Sequence, residues 1–403
     1  MGGNRVAVFG AAVWVAGMFA LGGDAIAQGT ARSLDLDTSV RSLGRGGAAN
    51  AVFWDGGNEW ANPALLGYRR GLSFAWDRQQ LVPELADDVT HTSRRVSLGL
   101  WGVGFSSMGQ PVDVIGGADL DYGSSEGTDP GGNPTGTYSS FEHIRAWSLG
   151  VSAAAVLDQV AALFGGRTSV ADWADVAVGT SRKRFAMALF PPETHTANAT
   201  DWGLLARLTP LDTRRGAGAA AGATHRVDLS FGHSMLNAND ATLDVGLFGR
   251  AVPTSRIKRD GGAIGWTLRA APGAGGPGRR MARCLGPDGA LVRVVLAADR
   301  EHVSAGDDES GAYDVERRGL EAAFGRVFAL RLGHVRDEEG DIDGYSWGLG
   351  VGAPLGPLAE LAYDFASIPQ AEGLDHRSAH SVTLRLDVLE TLRTWREEGS
   401  HAN

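Results

Sequence analysis

Residues 345–351 read Tyr-Ser-Trp-Gly-Leu-Gly-Val, so that every second residue is large and apolar and the residues between them are small. Residues 361–365 (Leu-Ala-Tyr-Asp-Phe) and 382–388 (Val-Thr-Leu-Arg-Leu-Asp-Val) repeat this alternation. Successive side chains of a β-strand point to opposite faces of the sheet, and a period of two therefore predicts a strand with one apolar face. The C-terminal third of the chain is thus predicted to be β-sheet.

The same alternation extends back to residue 71. It recurs, for example, at 72–76, 96–100, 147–151, 227–231 and 328–332. Counted along the chain, it predicts about 14 strands of roughly 8 to 10 residues each. A soluble β-sandwich also alternates, so the period does not decide the class of protein by itself.

Three features favour a membrane barrel over a soluble sandwich. The strands exceed the usual five or six residues. Their polar face consists mostly of Gly, Ala and Ser with scattered charges, as in a barrel lumen. Trp and Tyr recur near strand ends, where the aromatic girdles of barrels lie; these are Trp76, Trp101, Trp202, Trp266 and Tyr345. We therefore predict an all-β protein, with a single antiparallel transmembrane β-barrel over residues 71–388.

The N-terminus has the features of an export signal. Arg5 precedes an uncharged apolar run over 6–23, and Ala25-Ile26-Ala27 follows it. A basic start, an apolar core and a small-x-small site describe a secretory signal peptide, here residues 1–27. A membrane anchor is the alternative, since the run approaches the length of a spanning helix, but the cleavage site favours removal. Together with the strands, this segment predicts a bacterial outer-membrane location, with lipid as a partner.

Two segments lie outside the strand pattern. Residues 28–70 are Gly-rich and include a turn into a short helix at 58–66. We predict that they form a plug-like segment inside the barrel, because glycine permits close approach to the wall. Residues 389–403 form a polar C-terminal tail after the last strand.

The plug segment also carries a recognisable signature. Residues 39–48 read Ser-Val-Arg-Ser-Leu-Gly-Arg-Gly-Gly-Ala, Asp55 follows, and 62–66 read Asn-Pro-Ala-Leu-Leu. This order resembles the amino-terminal signature of the PorV/PorQ-type family within the FadL-like outer-membrane superfamily. Shorter matches follow in the family's order at 201–205, 319–321, 329–333 and 361–365. The resemblance makes the following residues candidates for the plug and its turn: Arg41, Gly44, Gly46, Gly47, Asn62, Pro63 and Ala64.

The resemblance implies two alternative functions. Membership of the FadL-like superfamily implies a passive channel for hydrophobic small molecules. Similarity to PorV itself implies an accessory barrel of a type IX secretion system, with a secreted protein as partner. Neighbouring genes for hydrocarbon degradation would favour the first function, and genes for the secretion system would favour the second.

Charged residues also fall on the phase opposite the apolar face. In a barrel they are predicted to face the lumen; they are Asp77, Glu321, Arg331, Glu360, Asp364, Arg385 and Asp387. An unpaired buried charge costs several kcal/mol. These residues are therefore predicted to form salt bridges that fix the strand register, with a substrate site as the alternative.

The sequence shows little sign of other chemistry. The net charge of −10 argues against a nucleic-acid partner. Cys284 is the single cysteine, and the histidines show no zinc-ligand spacing. The acidic turn at 337–343 could hold calcium but lacks the full calcium-loop spacing, which favours a solvated turn. We predict a protein that is not an enzyme and uses no cofactor and no metal.

Overall fold

The computed structural model describes residues 32–54, 58–108, 117–128, 134–166, 170–188, 194–215, 223–244, 251–270, 284–285, 289–305, 308–355 and 359–387. The predicted signal peptide, the predicted C-terminal tail and Asp55 lie outside these residues. Among the helices in the described ranges, none is long and apolar enough to cross a bilayer.

Most of the described chain is β-strand. The strands are β1 (Gly71–Val82), β2 (Ala86–Leu100), β3 (Val103–Met108), β4 (Gly117–Thr128), β5 (Pro134–Ser152), β6 (Ala174–Ala188), β7 (His195–Asp212), β8 (Thr224–Leu236), β9 (Thr242–Asp244), β10 (Ala251–Pro253), β11 (Ser255–Arg269), β12 (Ala290–Ala305), β13 (Asp308–Phe324), β14 (Phe328–Asp337), β15 (Ile342–Pro354), β16 (Ala359–Ile368) and β17 (Arg377–Leu386). The α-helices are α1 (Val40–Gly44), α2 (Ala153–Leu163) and α3 (Val170–Trp173), and short 3-10 helices cover Arg32–Leu34, Pro63–Tyr68 and Thr213–Arg215.

The strands form one closed antiparallel barrel. β1 pairs with both β2 and β17, which closes the ring. β3 and β4 both lie between β2 and β5 and occupy one position in the wall. The fifteen described strands of this sheet therefore give fourteen wall positions, which confirms the predicted fold class. β9 and β10 form a separate hairpin.

An even number of antiparallel positions brings both ends of the wall to the same side. β1 begins and β17 ends there, with Leu72 paired to Leu386. We call this side the terminal end and the opposite side the distal end. The two-residue turn between β2 and β3 lies at the terminal end. Trp101 (φ 54°) and Gly102 (φ 83°) both have positive φ there, as a type I′ hairpin turn requires.

The wall is apolar on its outside and polar on its inside. In β1, Phe74 and Trp76 are 42% and 40% exposed, whereas Ser73, Ala75 and Asp77 are buried. The same inversion holds on other strands; outward and exposed residues include Leu98, Phe105, Trp147, Val178, Leu204, Phe231, Ile264, Leu296, Leu330, Trp347, Tyr363 and Val382. The five predicted girdle aromatics are all exposed. Exposed apolar and buried polar side chains are the reverse of a soluble protein and fit a lipid-facing surface.

This arrangement predicts a depth-dependent cost for outward charges. Leu330 is 44% exposed in the apolar band of β14, and His334 faces the same way nearer the distal end. Leu330→Arg is expected to lower the free energy of unfolding in lipid by about 2–4 kcal/mol, because the guanidinium must leave water at mid-bilayer. His334→Arg, the matched control, should cost at most about 1 kcal/mol. Denaturant unfolding in vesicles would measure both, and equal losses would contradict a lipid-facing band.

Residues 32–54 and 58–70 lie inside the barrel as a plug. α1 packs against β15 and β16, and the Pro63–Tyr68 helix packs against β5, β6 and β7. An apolar cluster joins plug to wall in the middle of the lumen; it contains Ala48, Ala51, Val52, Phe53, Ala64 and Leu65 from the plug and Ala177, Leu205, Ala263, Val295 and Ala297 from the wall. The predicted plug is therefore part of the folded core.

Candidate functional site

A row of inward glycines in the wall forms the seat of the plug. Gly99, Gly104, Gly150, Gly179 and Gly203 lie directly opposite one another on five neighbouring wall strands. A Cβ on Gly104 would lie 1.9 Å from the Leu66 carbonyl oxygen, and one on Gly179 would lie 2.3 Å from the Pro63 carbonyl carbon. A side chain would collide with plug backbone at four of these positions and with the Asn62 side chain at Gly203, so all five accept only glycine. This seat was not predicted from the sequence, although one glycine at the inward phase of successive strands is a readable signal.

The seat yields a direct test. Gly179→Ala is expected to lower the free energy of unfolding by about 1–3 kcal/mol, because the plug must shift to admit one methyl group. Gly262→Ala is the matched control, since a Cβ there meets nothing closer than 3.9 Å. Limited proteolysis of the plug should also become faster in Gly179→Ala and stay unchanged in Gly262→Ala. Identical behaviour of the two variants would contradict a tight seat.

Asn62 fixes the turn that ends the plug. Its Oδ1 accepts a hydrogen bond from the Ala64 N–H at 3.0 Å, and it caps the Pro63–Tyr68 helix. Its Nδ2 donates to the Asn50 carbonyl at 3.0 Å and to the Leu204 carbonyl of β7 at 3.1 Å. Pro63 and Ala64 follow, both buried. One buried amide thus joins two parts of the plug to the wall.

The predicted glycines of the signature lie where plug and wall touch. Gly46 and Gly47 have φ of +70° and +80°. A Cβ on Gly46 would lie 2.8 Å from the His334 nitrogen, and one on Gly44 would lie 3.2 Å from the Gly348 Cα. The structure therefore places Gly46 against β14, Gly44 against β15 and Gly47 against Arg317 of β13.

Two arginines of the plug complete a buried ionic network of the wall. Arg331 donates from Nε to Glu321 (2.6 Å) and from Nη1 to Asp364 (2.8 Å). From the plug, Arg45 donates to Glu321 at 2.8 Å and Arg41 donates to Asp364 at 2.9 Å. Arg331, Glu321 and Asp364 are at most 3% exposed. Three predicted lumen charges and the signature Arg41 thus meet in one cluster, which we call the central network.

The other predicted lumen charges lie apart from this network. Asp77 is buried and accepts a hydrogen bond from Ser93 at 3.0 Å. Glu360 is buried near the terminal end, where Arg385 donates to it at 3.2 Å. Asp387, the last of the predicted lumen charges, lies at the terminal end and not among the buried charges. It follows Leu386, the last residue that pairs with β1, and is exposed because no strand holds it inward.

Other buried carboxylates of the lumen were not predicted. Asp299 accepts hydrogen bonds from the Ala49 and Asn50 backbone N–H groups at 2.7 and 2.8 Å. Glu301 pairs with Arg259 at 2.7 Å and with Arg317 at 2.6 Å. Both follow the inward phase of β12, in which Val295, Ala297, Asp299 and Glu301 are buried and Leu296 is exposed, so this alternation could have identified them.

Glu59 is a plug carboxylate held in its charged form. Its Oε1 accepts a hydrogen bond from Ser106 at 2.8 Å, and Arg69 and Arg95 lie 3.2 and 3.3 Å from its Oε2. Burial raises the pKa of this group, but the two guanidinium groups outweigh burial and hold its pKa below the usual value. Glu59 therefore fastens the plug to β2 through an ion pair with Arg95 and to β3 through a hydrogen bond from Ser106.

The distal half of the lumen contains a second apolar cluster. Leu34 and Trp60 of the plug pack there against Ile144, Phe185 and Met187 of the wall. Leu243 of the β9–β10 hairpin also joins it and is fully buried. Lys183 lies at its edge, 3.7 Å from the Trp60 ring centroid and 2.8 Å from Asp201. We call this group the distal apolar cluster.

The terminal half of the lumen contains a cavity of about 240 Å³. It lies between the terminal side of the plug and the terminal ends of β1, β7, β8 and β11 to β17, and we call it the terminal chamber. Ten of its lining residues are arginines. No group of His, Cys, Asp and Glu able to hold a metal ion occurs in the described ranges.

No known protein-family model matches the sequence, and no curated protein sequence does. Among solved structures, the chain is similar to a FadL homologue of Pseudomonas aeruginosa, with TM-score 0.38 and 9% identity over 87% of this chain and 98% of that one. It is also similar to the toluene transporter TodX of Pseudomonas putida, with TM-score 0.34 and 10% identity over 85% and 96% of the two chains. A third similarity is to the transport unit of the autotransporter AIDA-I of Escherichia coli, with TM-score 0.28 and 7% identity over 79% and 90%. With every TM-score below 0.5, these likenesses carry no argument about function.

Proposed function

We propose that this protein is a passive channel for hydrophobic small molecules in a bacterial outer membrane. The observation that carries the proposal is the distal apolar cluster inside a plugged lumen. Porin lumens are polar and filled with water. Here apolar side chains of wall, plug and hairpin meet inside the barrel, and the plug occupies the path that a hydrated solute would take.

The free-energy cost of entering the distal apolar cluster differs between hydrated and apolar solutes. A hydrated ion would have to lose its water among Leu34, Trp60 and Phe185, whereas an apolar molecule gains about 25 cal/mol for each Å² that it buries there. An apolar molecule can therefore displace these contacts at a low net cost. The resemblance of the plug signature to the FadL-like superfamily supports the same class of solute.

The location and segment boundaries belong to the same proposal. Residues 1–27 would be removed on export, 28–70 would form the plug, 71–388 the barrel and 389–403 the tail. The terminal end would then face the periplasm, because a chain that inserts from the periplasm leaves both ends of its wall on that side. A passive channel of this kind needs no catalytic group and no cofactor.

Uptake by whole cells tests the proposal. Cells that produce the protein should take up radiolabelled naphthalene several-fold faster than cells that carry an empty vector. Their uptake of lactose should not increase, because a sugar would have to lose its water in the distal cluster. A rise for both solutes would indicate an open pore and would contradict the proposal.

Variants of the distal cluster make the test specific. Leu243→Gln should reduce naphthalene uptake, because it places an amide in the cluster. Arg184→Gln is a matched control, since Arg184 is exposed on the outside of β6. The amount of each protein at the cell surface is measured in parallel. No uptake by any variant, together with copurification of exported proteins, would favour the alternative role as a type IX accessory barrel.

A further inference from the structure

The terminal chamber has an excess of positive charge. Its lining includes ten arginines but only three acidic residues, Asp228, Glu321 and Glu360. Ion pairs of these arginines reach three further carboxylates, those of Glu59, Asp212 and Asp364. Within the described residues, the lining itself therefore carries more guanidinium groups than carboxylates. Positive charge enclosed by low-dielectric walls focuses the potential on the cavity and attracts anions.

Arginine is also the residue best suited to recognise an oxyanion. Its planar guanidinium presents several N–H donors in a fixed fork, which matches the two oxygens of a carboxylate. The chamber's arginines come from the plug and from different wall strands, so a bound anion could be approached from several sides.

One wall of the chamber is aromatic. Phe53 stacks on Trp54 with ring centroids 4.2 Å apart, and Tyr68 lies 5.1 Å from Phe53. The guanidinium of Arg207 lies 5.4 Å from the Phe53 centroid and 5.7 Å from the Tyr68 centroid. All four residues line the chamber. Aromatic rings and a guanidinium group thus lie side by side in the lining of the chamber.

The volume limits the size of a ligand. An engineered protein cavity of about 150 Å³ binds benzene. The terminal chamber, at about 240 Å³, has room for one six-membered ring and a carboxylate but is smaller than pockets for drug-sized molecules, which start at about 300 Å³.

We propose that the terminal chamber binds a single-ring aromatic carboxylate, with its carboxylate towards the arginines and its ring against Phe53, Trp54 and Tyr68. Such a molecule is apolar over most of its surface and charged at one end. The proposal rests on the proposed function only in placing the chamber on the solute's path, whereas the binding itself needs no transport.

Calorimetry on the purified protein in detergent tests the proposal. Benzoate should bind at least tenfold more tightly than benzamide, which has the same shape without the charge. Inorganic phosphate should bind more weakly than benzoate, because it lacks the ring. Equal affinities of benzoate and benzamide would overturn the role of the arginines, and equal affinities of benzoate and phosphate would overturn the role of the ring.

Variants locate the binding. Arg207→Gln and Arg293→Gln should each weaken benzoate binding several-fold while leaving benzamide unaffected. Two variants are used because either one could disturb the plug or the wall, which the melting temperature reports. Arg318→Gln is the control, since its side chain is 72% exposed on the outside of β13. Benzoate binding that survives both chamber variants would overturn the proposal. Benzoate binding without naphthalene uptake would instead contradict the proposed function alone.

Discussion

Replacing Arg331 with glutamine is expected to lower the free energy of unfolding by about 3 kcal/mol. Arg331 bridges Glu321 and Asp364, and all three are buried. Removing one partner of a buried ionic cluster costs about 3–5 kcal/mol, because charge remains in a low-dielectric site without compensation. The lower end applies because Arg45 and Arg41 still contact the two carboxylates.

Arg336→Gln is the matched control for this prediction. Arg336 lies on the same strand, pairs with Glu338 and is largely exposed. Exposed ion pairs contribute little, so the loss should stay within about 0.5 kcal/mol. Urea unfolding of both variants in the same lipid measures the difference. Equal losses would mean that the central network is hydrated rather than buried.

Deleting residues 32–66 is expected to convert the protein from a nearly silent barrel into a conducting pore. Side chains alone fill a barrel of about 8 strands, and a fourteen-strand wall is wider. The plug occupies the middle of that space, so intact protein in planar bilayers should show little steady conductance. Without the plug, water would fill a lumen lined by Ser, Asp, Glu and Arg, and single-channel currents of porin size should appear.

The deletion variant should still fold, which keeps this prediction testable. Arg331 with Glu321 and Asp364, and Glu301 with Arg259 and Arg317, are pairs within the wall and do not depend on the plug. Retention of the folded barrel is checked by circular dichroism and by gel electrophoresis. In the gel, a folded barrel migrates more slowly after heating than an unheated sample does. Large currents from the intact protein, or a folded deletion variant that stays silent, would show that the plug does not close the lumen.

The wall could be predicted from sequence because its information is local. Alternation at 345–351 and 361–365 reports directly which face each side chain takes, and the structure confirms outward Trp347 and Tyr363. Strand phase likewise predicts that Glu321, Arg331 and Asp364 point inward, and all three are buried in the structure. Asp387 has the same phase but is exposed, because the alternation continues past Leu386, at which pairing with β1 stops.

The contacts between plug and wall could not be predicted in this way. Arg45 and Glu321 are 276 residues apart, and Asn50 and Gly232 are 182 apart. Nothing in either segment specifies the other, since the partner of a buried hydrogen bond depends on the complete fold. The glycine row is an intermediate case: each glycine is visible in the sequence, but its alignment with Gly104 or Gly179 requires the strand register.

By itself, the sequence determined that the chain forms an amphipathic antiparallel barrel with a glycine-rich segment before its first strand. Those features depend on a period of two and on the conformational freedom of glycine, which act over a few residues. Only the tertiary structure decided that plug arginines complete the central network and that ten arginines line the terminal chamber together with the rings of Phe53, Trp54 and Tyr68. The reason is geometric. Closing the barrel brings the terminal ends of ten wall strands around one space. The plug then bounds that space on its other side, so the cavity exists only in the complete fold.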